Sequence, residues 1–135
     1  MIANAADQHR NRKVVLIVDD DADIREILAE TLENLDFDCT TAVDGLDALR
    51  VVRQMPVRPS IILLDLMMPV MDGYEFLDRR RQDPALTAIP VAVVTAGHGV
   101  DRDRLAEDVA IISKPFDMPR LLDVLNALGS EPGRG

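Results

Sequence analysis

The sequence holds one cysteine, one tyrosine and no tryptophan in 135 residues. A lone Cys39 cannot close a disulfide within the chain, so a reducing, cytoplasmic setting is expected. No apolar run approaches the roughly 18 to 20 residues of a membrane span. The first dozen residues, MIANAADQHRNR, lack the apolar core of a secretory leader. Basic residues are in deficit: 15 Lys and Arg stand against 24 Asp and Glu, a net charge of −9. Such a field repels phosphate backbones and argues against direct nucleic acid binding. His9 and His98 stand far from other ligand types, which excludes a zinc motif. There is no internal repeat and no low-complexity tract.

What is present fits one globular domain. Hydrophobic residues make up 47% and charged residues 29%, and a chain of this length can bury a core without disulfides or metal staples. The expected division is a tail over 1–12, a domain over 13–129 and a second tail over 130–135. Val14 to Val18 and, after Ser60, Ile61 to Leu64 are continuous apolar runs, which predicts strands buried on both faces. IPVAVVT and VAIIS are two more. DFDCTTAVDG alternates, with Phe37, Cys39, Thr41 and Val43 on one side, and predicts a half-exposed edge strand. Between the strands lie helical patterns. In ADIREILAETLENL the apolar positions are Ile24, Ile27, Leu28, Leu32 and Leu35, and Asp21 or Asp23 can cap the start. GLDALRVVRQM is stopped by Pro56 and Pro59, and GYEFLDRRRQD, with Tyr74, Phe76 and Leu77 inward, by Asp83-Pro84. DMPRLLDVLNAL ends at Gly129. Strand and helix alternate five times, which predicts an α/β fold: a five-stranded parallel sheet with helices on both faces.

In such a sheet the strand C-terminal ends share one edge, where ligands bind. Asp19 and Asp20, Asp65, Thr95 and Lys114 each fall at such an end. Clustered carboxylates repel one another unless something compensates. A hard divalent cation with oxygen ligands does so, and Mg²⁺ suits one or two carboxylates with waters and phosphate oxygens. A lysine and a hydroxyl are suited to an incoming phosphoryl group, and a carboxylate can accept one as an acyl phosphate. Each residue has a plainer reading by itself. Asp19-Asp20-Asp21 can cap a helix, Asp65 can form a turn, Thr95 is an ordinary strand residue, and Met67, Met68 and Met71 can fill the core.

VLIVDDDADIRE, PSIILLDLMMPVMDG, IPVAVVTAG and SKPFD, in this order, resemble the receiver domain of two-component response regulators over about residues 13–128. The resemblance implies the doubly wound order 2-1-3-4-5. It implies Asp65 as phosphoacceptor, and an Mg²⁺ site from Asp19, Asp20, Asp65 and the Met67 backbone carbonyl. Thr95 matches the hydroxyl that contacts the phosphoryl group, and Lys114 the lysine that pairs with it. Lys114-Pro115 matches a peptide that is cis in the family, and Pro69 and Gly73 a shaped loop after the acceptor. The implied partners are a sensor histidine kinase or a histidine phosphotransfer protein, and a downstream protein target. The implied protein is a monomer or weak dimer. It is a signalling phosphoacceptor that loses its phosphate by hydrolysis, tuned by Met67 and Gly97, rather than an enzyme.

Two departures carry expectations of their own. Three residues before the lysine the family usually has Tyr or Phe; here stands Ile111, and none of the four aromatics, Phe37, Tyr74, Phe76 and Phe116, takes its place. Thr95 and Lys114 are nineteen positions apart, a short span with few apolar residues beyond Val100 and Leu105. A short, distorted or mobile fourth helix is therefore expected over 97–108. Two other classes compete. A haloacid-dehalogenase-type phosphatase expects a second Asp where Met67 stands. A phosphorylation-independent interaction module, or a receiver excised from a larger hybrid kinase or regulator, remains open.

Overall fold

The computed structural model describes residues 12–96, 100–105, 108–115 and 117–129. Both expected tails fall largely or wholly outside these, as do His9, Gly97, His98 and Phe116. Five strands, β1 (Val14–Val18), β2 (Asp38–Ala42), β3 (Ile61–Asp65), β4 (Val91–Thr95) and β5 (Ala110–Ser113), form one sheet. Its order is β2-β1-β3-β4-β5, and every pairing is parallel. The helices are α1 (Ala22–Glu33), α2 (Gly45–Gln54), α3 (Gly73–Gln82), the single turn α4 (Pro84–Thr87) and α5 (Met118–Gly129).

The continuous apolar runs become the central strands because both sheet faces are covered. Alternate residues of one strand feed different cores. Leu16, Val18, Ile62, Leu64, Val91 and Val93 pack with Leu49, Phe76 and Leu77 on the α2 and α3 side. Val15, Ile17, Ile61, Leu63, Ala92 and Val94 pack with Leu28, Leu32, Leu121 and Leu125 on the α1 and α5 side. The helix starts are set by aspartates. Asp21 Oδ1 accepts from the Asp23 and Ile24 N–H groups, Asp44 from Asp47, and Asp72 from Glu75. Each satisfies donors that the first helical turn leaves unpaired. Asp83 ends α3 and caps α4, with Pro84 at the first helical position.

Two apolar expectations need correction. In α1 the buried stripe is Leu28 and Leu32, with Ile24 partly buried beside it. Ile27 is 64% exposed, because it sits about 100° around the helix from Leu28. Leu35 lies beyond the helix end and is also exposed. Along and beside β2, Phe37 and Cys39 reach the core while Thr41 and Val43 are exposed, and β2 has a neighbour on one side only, so the expected half-exposed edge strand is found.

The segment between β4 and β5 carries a 3₁₀ turn, Arg102–Arg104, and no α-helix among its described residues. The expectation of a short or distorted helix there is met as far as those residues reach. Val100 and Leu105, the two apolar candidates, pack against the α3-side core.

Candidate functional site

β1 and β3 are neighbours, and both end on carboxylates at the same sheet edge. Asp19, Asp20 and Asp65 come together there: one oxygen of each lies within 4.8 Å of the others. Asp19 and Asp65 are buried, whereas Asp20 is exposed. Asp19 Oδ1 accepts from the Asp21 N–H at 2.9 Å. Arg25, one turn into α1, donates to the Asp19 carbonyl at 2.8 Å. Backbone and side chain of Asp19 are thus both held.

Asp65 Oδ1 accepts from the Met67 N–H at 3.3 Å. The loop that follows is clamped at its far end. The Gly73 N–H donates to the Leu66 carbonyl at 2.9 Å. A Cβ on Gly73 would stand 2.6 Å from the Asp65 carbonyl oxygen, so glycine alone permits this approach. Within the loop Val70 has a φ of 69°, a left-handed conformation that a β-branched residue adopts only under strain.

Burial pushes the Asp65 carboxyl above its ordinary value, and the charge of Asp19 pushes in the same direction. Lys114 and the Met67 N–H oppose this, and Asp20 adds a smaller upward push. The Asp65 carboxylate is therefore under-compensated by the protein alone.

Thr95, at the end of β4, is buried. The Lys114 N–H donates to its carbonyl at 2.6 Å, and the Lys114-Pro115 peptide is cis, as expected. The Lys114 ammonium reaches the cluster, but its direct partner is Asp19 Oδ2 at 3.4 Å rather than Asp65. All five expected residues thus lie at one edge of the sheet, with Lys114 bonded to Asp19, a neighbour of Asp65.

Three oxygen donors of this type, two of them buried, suit a hard divalent cation. The under-compensated Asp65 is what such a charge would relieve.

Sequence reasoning missed two residues around the site and one at the opposite edge of the sheet. Arg25 carries no signal that separates it from other surface arginines. Arg80 is buried and donates to the Ile89 carbonyl; its place four residues after Phe76 puts it on the inward face, a signal hidden by its charge. The Tyr74 hydroxyl accepts from the Asp101 N–H at 2.7 Å, a bond that no spacing announces.

Among the described residues no helix is long and apolar enough to cross a membrane. The profile of the response regulator receiver domain matches residues 15–126. The chain is 36% identical over 119 residues to the DNA-binding dual master transcriptional regulator RpaA of Synechocystis, covering 84% of this chain and 48% of that protein. It is 30% identical over 116 residues to Protein PilG of Pseudomonas aeruginosa, with 84% of each covered. The response regulator TrrA of Thermotoga maritima, crystallised in complex with Mg²⁺ and BeF, superposes with a TM-score of 0.75 at 27% identity, over 86% of this chain and 98% of that one. The chain spans about half the length of RpaA and of several other matched regulators. The match over most of the chain, the shared fold and the strand-end carboxylates place this protein in the receiver domain family of two-component response regulators.

Proposed function

We propose that Asp65 is the residue phosphorylated in this receiver, by a sensor histidine kinase or a histidine phosphotransfer protein. The observation that carries the reading is the buried Asp65 beside Asp19 and Asp20, with Lys114 in reach of the same cluster. In the transfer, an Asp65 carboxylate oxygen bonds to phosphorus as the bond from phosphorus to the donor imidazole nitrogen breaks. The leaving nitrogen keeps the electron pair and is protonated. This reaction needs positioning and charge neutralisation more than covalent help.

Asp19, Asp20, Asp65 and the Met67 carbonyl would hold Mg²⁺, which when bound neutralises charge on the phosphoryl oxygens. Lys114 exchanges its Asp19 contact for the phosphoryl group, and the Thr95 hydroxyl donates to a phosphoryl oxygen. That contact biases a pre-existing equilibrium toward the signalling form. Water later hydrolyses the acyl phosphate, at a rate that the exposed Met67 side chain, two residues past Asp65, helps to set.

The domain proposed is 13–129, acting in the cytoplasm as a monomer or weak dimer on a protein target, without direct nucleic acid contact. The test is incubation of the whole chain with Mg²⁺ and acetyl phosphate, followed by intact mass. A phosphoryl increment on wild type that disappears in Asp65→Asn supports the assignment. No increment, while a control receiver is labelled, favours the phosphorylation-independent module.

A further inference from the structure

Asp19 is engaged at every polar atom. Its N–H donates to the Ala42 carbonyl at 3.2 Å, and its Oδ1 accepts from the Asp21 N–H at 2.9 Å. Oδ2 faces Lys114 Nζ at 3.4 Å. The carbonyl accepts from the Arg25 guanidinium at 2.8 Å, the shortest of the four bonds. That carbonyl belongs to the peptide joining Asp19 to Asp20. A peptide is planar from one Cα to the next, so fixing its oxygen also fixes where the chain carries Asp20. Asp20 is exposed, and no hydrogen bond holds its carboxylate among the described residues. Its approach to the Asp19 and Asp65 oxygens therefore depends on the backbone that Arg25 grips.

Arg25 is set in place by the start of α1. Asp21 caps the helix, and the Arg25 N–H donates to the Asp21 carbonyl at 3.0 Å. The partly buried side chain then turns back over the end of β1. The result is a closed ring: Asp21 holds Asp19 by its carboxylate, and Arg25 holds Asp21 by main chain and Asp19 by side chain.

We propose that Arg25 is a positioning residue for the divalent cation, gripping the Asp19-Asp20 peptide so that both carboxylates keep the spacing the ion needs. It is no ligand itself and acts through Asp19. The inference rests on the metal reading of the acidic cluster. Its sign is opposite to that of charge. A cation beside three carboxylates disfavours a second cation, so losing Arg25 as a mere charge would tighten the ion. Losing it as a clamp loosens the ion, since groups that orient metal ligands contribute about 10–100-fold in affinity.

The test compares wild type, Arg25→Met, Arg25→Gln and Arg25→Lys as whole chains. Mn²⁺, which takes the same oxygen donors as Mg²⁺, is the probe. Its free fraction is read by electron paramagnetic resonance, and Mg²⁺ is added to displace it. The two neutral variants should bind Mn²⁺ about tenfold more weakly than wild type, the lower end of that range. Arg25→Lys keeps a donor and should bind more tightly than either. Melting without metal shows which variants fold, and Arg25→Gln serves for the comparison if Arg25→Met does not. Unchanged or tighter binding in the folded neutral variants overturns the clamp and leaves the metal site standing, as does Arg25→Lys binding no tighter than they do. Absence of Mn²⁺ binding in wild type overturns both the metal reading and the clamp.

Discussion

Lys114 Nζ lies 3.4 Å from Asp19 Oδ2, across a sheet in which β3 and β4 separate their strands. Its charge still opposes the upward push on Asp65 without a direct bond. Lys114→Gln should therefore hurt twice. In the proposed transfer it removes a charge-assisted partner for the phosphoryl group, on the order of 1.5–3 kcal/mol, which is at least about tenfold in labelling rate. It also leaves the carboxylate pair less compensated, so Mg²⁺ should stabilise this variant more than wild type. Melting curves with and without Mg²⁺ check the second point.

Asp65→Asn should stabilise the metal-free protein. Removing a buried charge beside Asp19 is worth on the order of 1 kcal/mol on the usual scale of single substitutions, or about 3–4 °C in Tm for a domain of this size. The pH dependence has a definite sign. The folded carboxyl lies above its ordinary value of 3.8, so the folded state binds this proton more readily than the unfolded chain. The contribution to stability is full below the unfolded value and is lost as pH rises through the folded one. Urea titrations at stepped pH should show this component in wild type and not in Asp65→Asn; equal slopes would count against it.

Val70→Gly relieves the left-handed backbone at φ 69°. The side chain is 76% exposed, so little packing is lost. The gain is on the order of 1 kcal/mol, the usual cost of this conformation for a residue with a Cβ. Denaturant unfolding should show a higher midpoint at unchanged slope.

Arg80→Met tests the buried arginine. Its guanidinium bonds the Ile89 carbonyl at 2.9 Å and the Thr87 carbonyl at 3.2 Å, with Asp108 at 3.3 Å. Losing it removes the arginine donor from the buried Ile89 carbonyl, at about 1–3 kcal/mol, and from the part-buried Thr87 carbonyl at less. The expected loss is about 2–3 kcal/mol, most of it from the backbone bonds, since the Asp108 side chain is exposed. Asp108→Asn should consequently cost well under about 1 kcal/mol.

Cys39 should be inert. Burial pushes its thiol up to about 12, with Glu33 and Asp38 adding to it and Arg12 opposing. The thiolate is the reactive form, so a disulfide reagent at pH 8 should label the folded protein far more slowly than the protein in denaturant. Equal rates would refute the assignment.

The sheet was legible because its strands are buried on both faces: VVLIV, IILLD and VAVVT need no alternation to be recognised, and their ends put the carboxylates at one edge. Helices were legible in existence but less so in orientation. Ile27 and Leu35 match an apolar stripe by spacing, yet only packing decides which side of α1 meets the sheet. The partner of Lys114 was not legible either. Sequence order brings lysine to the cluster, while the choice of Asp19 depends on side-chain reach across the edge. Tyr74 and Arg80 were hidden for opposite reasons. One reads as core and carries a polar tip in use, and the other reads as surface and is buried.

The separation of Asp19, Asp65 and Lys114 along the chain makes the site a gauge of the fold's integrity. Its oxygens and ammonium come from the ends of β1, β3 and β5, so no fragment lacking any of these three strands can assemble it. Any ligand of the cluster then binds the complete fold and not the unfolded chain, and its affinity adds to global stability by mass action. Signalling occupancy and resistance to unfolding are thereby one linked equilibrium in this domain.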